Sequence, residues 1–593
     1  MSSSPPPLPG WERRFPGRMQ YELRDLQERA TEITAHVDTL KRWVVSFLWV
    51  LSDGTPLRLE AAFPDTYPSL RPHVRLVSGL DPIPTRHVGP VNGAICLLGR
   101  NSKQWDPTWT LAKLLSEQLE DALRGSGDED PQGEPADQWW NSVALPDCYC
   151  LIDSAWDLGD AQSGELDLLV ATRRREIDVP GLDIPEIRAL ISAVRDGTGR
   201  EIARWTAAIP AEFEIPPISL KVPWARLPKT QLPSPSFWSQ IGDLRRENGL
   251  SGGQPQKLTQ RTGLRPFALV HPIEIAHGVE GLGWIIGGDW GHRRDFFQPK
   301  RPANRQQRSP KTFLLPVLRA GLEDLGIRVP AFKLLRQKRI AVFGLGALGA
   351  PLAIELARNG CSSLHLIEPD KVEPGNSVRW PLGTSAWGQR KVDALTRFIK
   401  REYPEVQAHP HPYDIGGVGN YSEDGLLDQV LNDVDLVVDA TVAWGVTQLL
   451  ADRCRERTIP LVQIFATPTL EGGGVVRYTN RGGCPVCYEH STNEQPESSA
   501  YIPQPPGYED HAPLAQPPGC AEPTFTGASY DLAEITMQGM RLIIDTLADE
   551  GTPESLVQTL SFLDQSGRRS PPHWRVDALP IHRNCANSGC LDQ

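Results

Sequence analysis

The sequence predicts a multidomain α/β protein. Three observations carry that expectation. The chain has 593 residues, about four domains at roughly 150 residues each. Short apolar runs alternate with helical patterns over residues 331–593, as in a mostly parallel sheet with helices on both faces. A Gly/Pro/acidic stretch, Gly125 to Asp137, sets a compact N-terminal region apart from the rest. The net charge of −12 argues against a general nucleic-acid binder, which carries a basic excess. Pro is frequent, 55 residues in all, against a usual ~5%, so long loops are expected. The longest apolar run, Trp43 to Leu51, is about half of the ~20 residues a membrane span needs. The start, MSSSPPPLPG, lacks the apolar core of a signal peptide. The expectation is a soluble, cytoplasmic protein whose ten cysteines serve as core thiols, metal ligands or nucleophiles.

The elements follow in order. Residues 1–10 are Ser/Pro-rich and expected to be disordered. Residues 11–125 form the first domain. Met19 to Leu40 reads as a helix with Leu23, Leu26 and Ala30 on one face. Trp43–Leu51 and Pro56–Ala62 read as strands joined at Ser52-Asp53-Gly54, with a third strand at His73–Val77. Leu111, Leu114, Leu115, Leu119, Ala122 and Leu123 make a helical stripe closed by Gly125. After the linker, 126–137, residues 138–330 give a mixed α/β middle domain without a recognisable motif. Glu165–Thr172 reads as a strand and Ile184–Val194 as a helix; Pro223–Pro235 and Pro299–Pro310 read as loops. The basic run from Lys300 to Lys311 reads as a solvated loop. In the last domain, 331–593, strands are expected at Arg339–Phe343, Leu364–Ile367, Leu436–Val438 and Leu461–Phe465, and a helix over Ala533–Leu547.

The strand Ile340–Phe343 runs into Gly344-Leu345-Gly346-Ala347-Leu348-Gly349. This is G-x-G-x-x-G between a strand and a helix. The glycines permit a tight turn and close backbone approach, and the helix start offers N–H groups to phosphate. Glu368, at the end of the next apolar strand, suits ribose hydroxyls. Alone, the pattern says nucleotide, with a dinucleotide dehydrogenase as the default. The stretch IEPDKVEPGNSVRWPLGTSAWGQRKVDAL tilts the choice. It resembles the adenylation domain of ubiquitin-activating enzymes and their bacterial relatives in molybdopterin and thiamine biosynthesis, a ThiF-type domain. The resemblance implies ATP and Mg²⁺, with Glu368 and Asp370 in the family's D-x-D, Asn376 helping to hold the site, and Arg379 and Lys391 on the phosphates. Acyl-adenylate chemistry needs cations on the triphosphate and hydride transfer does not. Asp439 ends a strand at the crevice and is the candidate Mg²⁺ ligand. The family's second Asp, three residues on, is here Val442.

Cys484-x₂-Cys487 and Cys585-x₄-Cys590 suit a closed tetrahedral structural Zn²⁺ site, and His582 could replace one ligand. Cys520 follows a Pro-rich stretch, Pro496 to Pro518, that looks like a crossing loop. The resemblance to activating enzymes implies a catalytic thiol there. Upstream, HVGPVNGAICLLGRNSKQWDPTWTLAKLL resembles ubiquitin-conjugating enzymes at Asn92, Gly93, Ile95, Cys96, Leu97, Trp105 and Pro107. Tyr67, Pro68 and Pro72 match that family's YP-x-x-x-P. Cys96 is then a second thioester cysteine, and the fold expected for 11–125 is the conjugating-type α+β domain. The family's His-Pro-Asn reads His87-Val88-Gly89, without the oxyanion Asn.

A conjugating and an activating domain in one chain resemble the fused enzymes of CBASS anti-phage operons. That resemblance implies an ATP-dependent relay from acyl-adenylate to Cys520 to Cys96 to a target lysine. It also implies a cGAS/DncV-like nucleotidyltransferase as the activated protein, and a homodimer. A sulfur-carrier-activating adenylyltransferase, a nucleotide-binding scaffold with degenerate folds, and an NAD-dependent oxidoreductase stand as alternatives.

Overall fold

A computed structural model describes residues 10–40, 42–80, 87–97, 105–124, 136–145, 148–171, 187–213, 217–250, 265–275, 278–289, 312–415, 423–508, 527–549, 551, 553–587 and 590. Cys520, Lys300–Lys311, Pro299–Pro310 and most of the Gly125–Asp137 linker lie outside these residues. The chain divides into two compact units, Met1–Thr206 with Ile215–Asp324, and Ala207–Glu214 with Leu325–Gln593. Among the described residues no helix is long and apolar enough to cross a membrane. α-Helices of eight residues or more are labelled below.

The first unit holds two sheets. Helix α1 (Pro16–Gln27) precedes a four-stranded antiparallel meander, β1 (Ala30–Val37), β2 (Trp43–Val50), β3 (Pro56–Phe63) and β4 (His73–Ser78), and α2 (Leu111–Arg124) follows. The helix expected over Met19–Leu40 therefore stops at Gln27. Thr31, Thr34 and Val37 are β-branched and pair with β2, so sheet propensity wins over continued helical spacing. Alternation in β2 and β3 puts Trp43, Val45, Phe47, Leu57, Leu59, Ala61 and Phe63 in the core beneath the helices.

A buried carboxylate ties this domain together. Glu22, only 2% exposed, accepts from the Tyr67 hydroxyl and from the Leu111 N–H at 2.9 Å. Arg18 lies 2.9 Å from it and donates to the Tyr67 oxygen at 2.7 Å. Burial pushes the Glu22 carboxyl up, against the pull of Tyr67, the Leu111 N–H and Arg18. Glu22→Ala leaves Arg18 and Tyr67 without this acceptor. The expected loss is about 3–5 kcal/mol, read as a lower melting temperature of the conjugating-type domain in the full chain.

The second sheet has nine strands along the path β12-β11-β10-β9-β6-β7-β5-β13, with β8 on β7. They are β5 (Cys148–Ile152), β6 (Ser163–Val170), β7 (Ile187–Asp196), β8 (Glu201–Arg204), β9 (Ile218–Arg226), β10 (Arg265–Ile275), β11 (Gly278–Asp289), β12 (Thr312–Leu315) and β13 (Val317–Arg319); α3 (Phe237–Glu247) lies between β9 and β10. Two expectations are corrected here. Ile184–Val194 is not a helix, because its described part lies in β7, held between β6 and β5. Pro223 to Arg226 is strand, since β9 runs through Pro223.

The second unit is built on β14 (Arg339–Phe343), α4 (Gly349–Arg358), β15 (Ser363–Ile367), α5 (Lys391–Glu402), β16 (Gln407–His411), α6 (Glu423–Leu431), β17 (Leu436–Asp439), α7 (Trp444–Glu456), β18 (Leu461–Ala466), β19 (Gly472–Tyr478), α8 (Pro485–Thr492), α9 (Ser529–Ala548), β20 (Leu556–Leu563) and β21 (Arg569–Ala578). The strand order is β16-β15-β14-β17-β18-β19-β20-β21. The first five strands are parallel and the last three antiparallel, so the expected mostly parallel sheet is parallel in one half only. The order reverses between β14 and β17, and ligands of such sheets bind at that switch point, beyond the strand ends.

Three histidines gather on one patch of this sheet. His365 sits 3.0 Å from His411 and 3.2 Å from Asp433, and stacks on His409. Burial, then the neighbouring histidines, hold His411 down to about 4; burial, then His409, also lowers His365 despite Asp433. The unfolded chain takes up these protons near pH 6.5 and the native chain does not. Stability is therefore fully present above that pH and falls as pH drops toward 4. A melting temperature lower at pH 5 than at pH 7.5, with the drop reduced in His411→Gln, is the expected result.

Candidate functional site

The Gly-rich turn lies at the switch point. Gly344 has φ +82°, and a Cβ there would stand 2.7 Å from the Ala440 carbonyl and 2.8 Å from the Thr441 nitrogen. A Cβ on Gly349 would stand 1.9 Å from the Gly344 oxygen, whereas one on Gly346 meets nothing within 4 Å. The first and third glycines thus serve backbone packing. The second leaves open space at the turn, where a phosphate needs close approach. Trp380, buried, donates its indole N–H to the Leu345 carbonyl at 2.8 Å.

Side chains from the next strand and its following loop gather at this turn. Glu368, buried at the end of β15, accepts from the Leu345 N–H at 2.7 Å and the Asp370 N–H at 3.1 Å. Lys391, at the start of α5, is 2.9 Å from Asp370 and 3.8 Å from Glu368. Asn376 accepts the Glu373 N–H at 2.9 Å and closes a capping box over Pro374–Val378, which presents the half-buried Arg379. Glu368, Asp370 and Lys391 thus meet at the turn, with Asn376 shaping the loop beside it. Trp380, which links that loop to the turn, was not singled out in the sequence, although an aromatic just after Arg379 was there to be read.

Asp439 is placed differently from a presented cation ligand. It is fully buried at the end of β17. Its oxygens accept from the Thr441 N–H (2.9 Å), the Thr441 hydroxyl (2.7 Å) and the Thr447 hydroxyl (2.5 Å). Burial pushes its carboxyl up, against those three hydrogen bonds. The chain continues inward through Gln463 to Tyr478. Sequence reasoning missed Thr441, Thr447, Gln463 and Tyr478, because nothing in their spacing joins three strands and a helix. Val442 follows with φ +58°, a left-handed conformation unusual for a β-branched residue, and is exposed.

The four cysteines converge. Cys484, Cys487, Cys585 and Cys590 are all buried and their sulfurs lie within 4.8 Å of one another. The pairs 484–487, 484–585 and 487–590 are 3.8, 3.7 and 3.8 Å apart. A tetrahedron of thiolates at ~2.3 Å from Zn²⁺ has sulfur–sulfur edges of about 3.8 Å, so the set fits that ion. The His582 backbone N–H points at the Cys487 sulfur (3.3 Å) and the Asn587 side chain at that of Cys484 (3.7 Å). The His582 ring is engaged elsewhere: one nitrogen accepts the Asn584 N–H and the other meets Glu494 at 3.0 Å.

Cys96 lies in a loop laid against β4. Ile95 donates to Val74 (2.9 Å), Leu76 to Gly93 (2.7 Å) and the Cys96 N–H to the His87 carbonyl (2.7 Å). Gly93 has φ +67°, and a Cβ there would stand 2.2 Å from the Leu76 carbonyl oxygen. Cys96 is half-buried. At Gly89, where the resembling family carries Asn, a Cβ would stand 2.4 Å from the Asn92 side-chain oxygen, so the Asn92 carboxamide occupies that space. Trp105 donates to the Pro68 carbonyl at 2.8 Å, joining the two halves of the sequence pattern.

Two family matches agree with this layout. Residues 323–506 match the ThiF family and residues 26–144 match prokaryotic E2 family B. The chain is 43% identical to the uncharacterized protein y4qC of Sinorhizobium fredii (strain NBRC 101917 / NGR234), over 92% of this chain and 91% of that one. It is 30% identical to ubiquitin-like modifier-activating enzyme 5 of Drosophila ananassae, over 31% of this chain and 49% of that one. Among solved structures, E. coli MccB with ATP aligns at 12% identity and a TM-score of 0.30, over 43% of this chain and 68% of that one. An N-terminal prokaryotic E2 family B domain and a C-terminal ThiF adenylation domain thus share one chain, which belongs to the same family as y4qC.

Proposed function

We propose that this chain activates the C-terminal carboxylate of a protein with ATP and passes the acyl group to an amine. The observation that carries this reading is the union of two sites in one polypeptide: a glycine turn flanked by Lys391, Glu368 and Asp370, and a half-buried Cys96 pinned in a conjugating-type loop. In the crevice the carboxylate oxygen attacks the α-phosphorus of Mg·ATP. Pyrophosphate leaves and an acyl-adenylate forms. Turn N–H groups, Lys391 and Arg379 hold the phosphates, and Glu368 takes the ribose. The Cys520 thiolate then attacks the acyl carbon, the C–O bond to AMP breaks, and AMP departs. Cys96 takes the acyl group from Cys520 by the same exchange of one thioester for another. A target lysine amine attacks the Cys96 thioester, the C–S bond breaks, and the proton lost by nitrogen restores the thiol. Only the first step consumes ATP. The roles of Cys520 and Arg379, and a cGAS/DncV-like nucleotidyltransferase as the activated protein, rest on the resemblance to the fused CBASS enzymes. So does a homodimer.

A non-reducing gel of the chain with Mg·ATP and a neighbouring-operon nucleotidyltransferase tests the reading. A thiol-sensitive adduct that needs Cys520 and then Cys96 is expected. No adduct at either cysteine, in protein that binds ATP and acceptor, refutes it. The second reading, a nucleotide-binding scaffold, draws on the engaged Asp439 carboxylate and the Val442 and Gly89 departures; ATP binding without adduct is its signature.

The cysteine cluster would hold one Zn²⁺ as a clamp between α8 and the C-terminal segment. Cys487→Ser is expected to lower bound zinc from about one ion per chain to none in elemental analysis, and to lower the melting temperature of the second unit.

A further inference from the structure

One helix touches both sites of the second unit. Near its start, Thr447 of α7 is fully buried and donates to Asp439 at 2.5 Å. Asp439 in turn holds the Thr441 N–H and hydroxyl, and the Thr441 nitrogen lies against Gly344. Five residues along, about 7.5 Å of helix rise, Asp452 accepts from the Asn587 side chain at 2.7 Å. That same Asn587 nitrogen points at the Cys484 sulfur. Gln448, between the two, donates to both Asp452 oxygens at 2.9 and 3.0 Å. Arg455 donates to the Gly482 carbonyl at 3.0 Å, two residues before Cys484.

We propose that Asp452 and Asn587 are positioning residues that couple metal capture by the cysteine cluster to nucleotide capture at the glycine turn, through α7. The proposal rests on the readings of both sites given above. The stretch Leu579–Asn587, which carries Cys585 and Asn587, follows β21 without helix or strand. Its fixed points include sulfur contacts, so an ion that gathers the sulfurs also fixes Asn587. Asn587 then anchors Asp452, and α7 is held where Thr447 meets Asp439. Asp439 sets Thr441 against the turn. Hydrogen-bond partners just outside a ligand sphere tune metal affinity by roughly 10–100-fold. Linkage requires that the influence run both ways: nucleotide must tighten the metal as much as metal tightens the nucleotide.

The test uses the full zinc-loaded chain and a chromophoric chelator, titrated with and without saturating Mg·ADP. Nucleotide binding is measured separately by calorimetry. Mg·ADP is expected to tighten zinc retention by about fivefold or more. Asp452→Ala is expected to bring that ratio to one while zinc and nucleotide still bind. Asp452→Asn, which keeps an acceptor for Asn587, is expected to restore the ratio. Asn587→Ala provides a second break if Asp452→Ala folds poorly. Zinc affinity unchanged by bound nucleotide, or a ratio that survives both alanine variants, overturns the proposal alone. A chain that holds zinc and binds no nucleotide overturns the adenylation reading and this one with it.

Discussion

Gly346→Ala is expected to weaken ATP capture by about 10–100-fold or more while the fold stands, and Gly349→Ala to destabilise the fold first. The two glycines are three residues apart in one turn and differ in what surrounds them. A Cβ at 346 meets no atom within 4 Å, so nothing in the chain need move. On the proposed reading, what it fills is the space the triphosphate of ATP would enter. Charge-assisted N–H bonds to phosphate contribute roughly 1.5–3 kcal/mol each. Loss of one or two lowers affinity by about 10–100-fold or more. At 349 a Cβ stands 1.9 Å from the Gly344 oxygen, a backbone atom that cannot rotate aside. Overpacking of this kind destabilises by about 1–3 kcal/mol. Calorimetric ATP titration beside thermal melting separates the two. Wild-type ATP affinity in Gly346→Ala would remove the turn from the nucleotide site.

Cys96→Ala is expected to stop amide formation entirely and to leave ATP–pyrophosphate exchange at the wild-type rate. The two sites belong to different units of the chain, and the first step requires nothing from residue 96. The backbone around Cys96 is held by the Cys96, Ile95 and Leu76 N–H groups, none of which needs the sulfur. The variant should therefore accumulate the acyl group on Cys520. Cys520→Ala should stop one step earlier, with acyl-adenylate and pyrophosphate but no thioester. Exchange that falls in Cys96→Ala, or amide product that persists, would show that the two thiols do not act in series.

The sequence was most legible where chemistry constrains spacing. The glycine turn, Glu368 and the Cys484–Cys487 pair each carry a local pattern with a physical reason; the structure sets Glu368 on the turn and Lys391 beside it, and holds the two sulfurs 3.8 Å apart. Cys585 and Cys590, about 100 residues further on, were expected to join Cys484 and Cys487 in one four-thiolate site, and the path of β20 and β21 brings the four sulfurs within 4.8 Å of one another. Segments without such a pattern were misread. Leu23, Leu26 and Ala30 share a helical spacing, but Glu28 already ends the helix and Ala30 begins β1. Buried on both faces, Ile187–Val194 shows neither alternation nor helical period cleanly. In the same domain the strand expected at Glu165–Thr172 is β6, whose buried residues Leu166, Leu168 and Val170 alternate. Asp439 was located correctly at the strand end, yet its engagement by Thr447 is a contact between a strand and the following helix that no spacing encodes.

The indole that steadies the glycine turn gives the protein an optical handle. Trp380 is buried with its N–H on the Leu345 carbonyl, inside the very turn a nucleotide would grip. A ligand that tilts that peptide unit changes the polarity and hydrogen bonding the ring senses, and hence its emission. The chain has 17 tryptophans, so the signal is a difference spectrum, wild type minus Trp380→Phe. That difference would report occupancy of the crevice in real time, without label, coupled enzyme or acceptor protein.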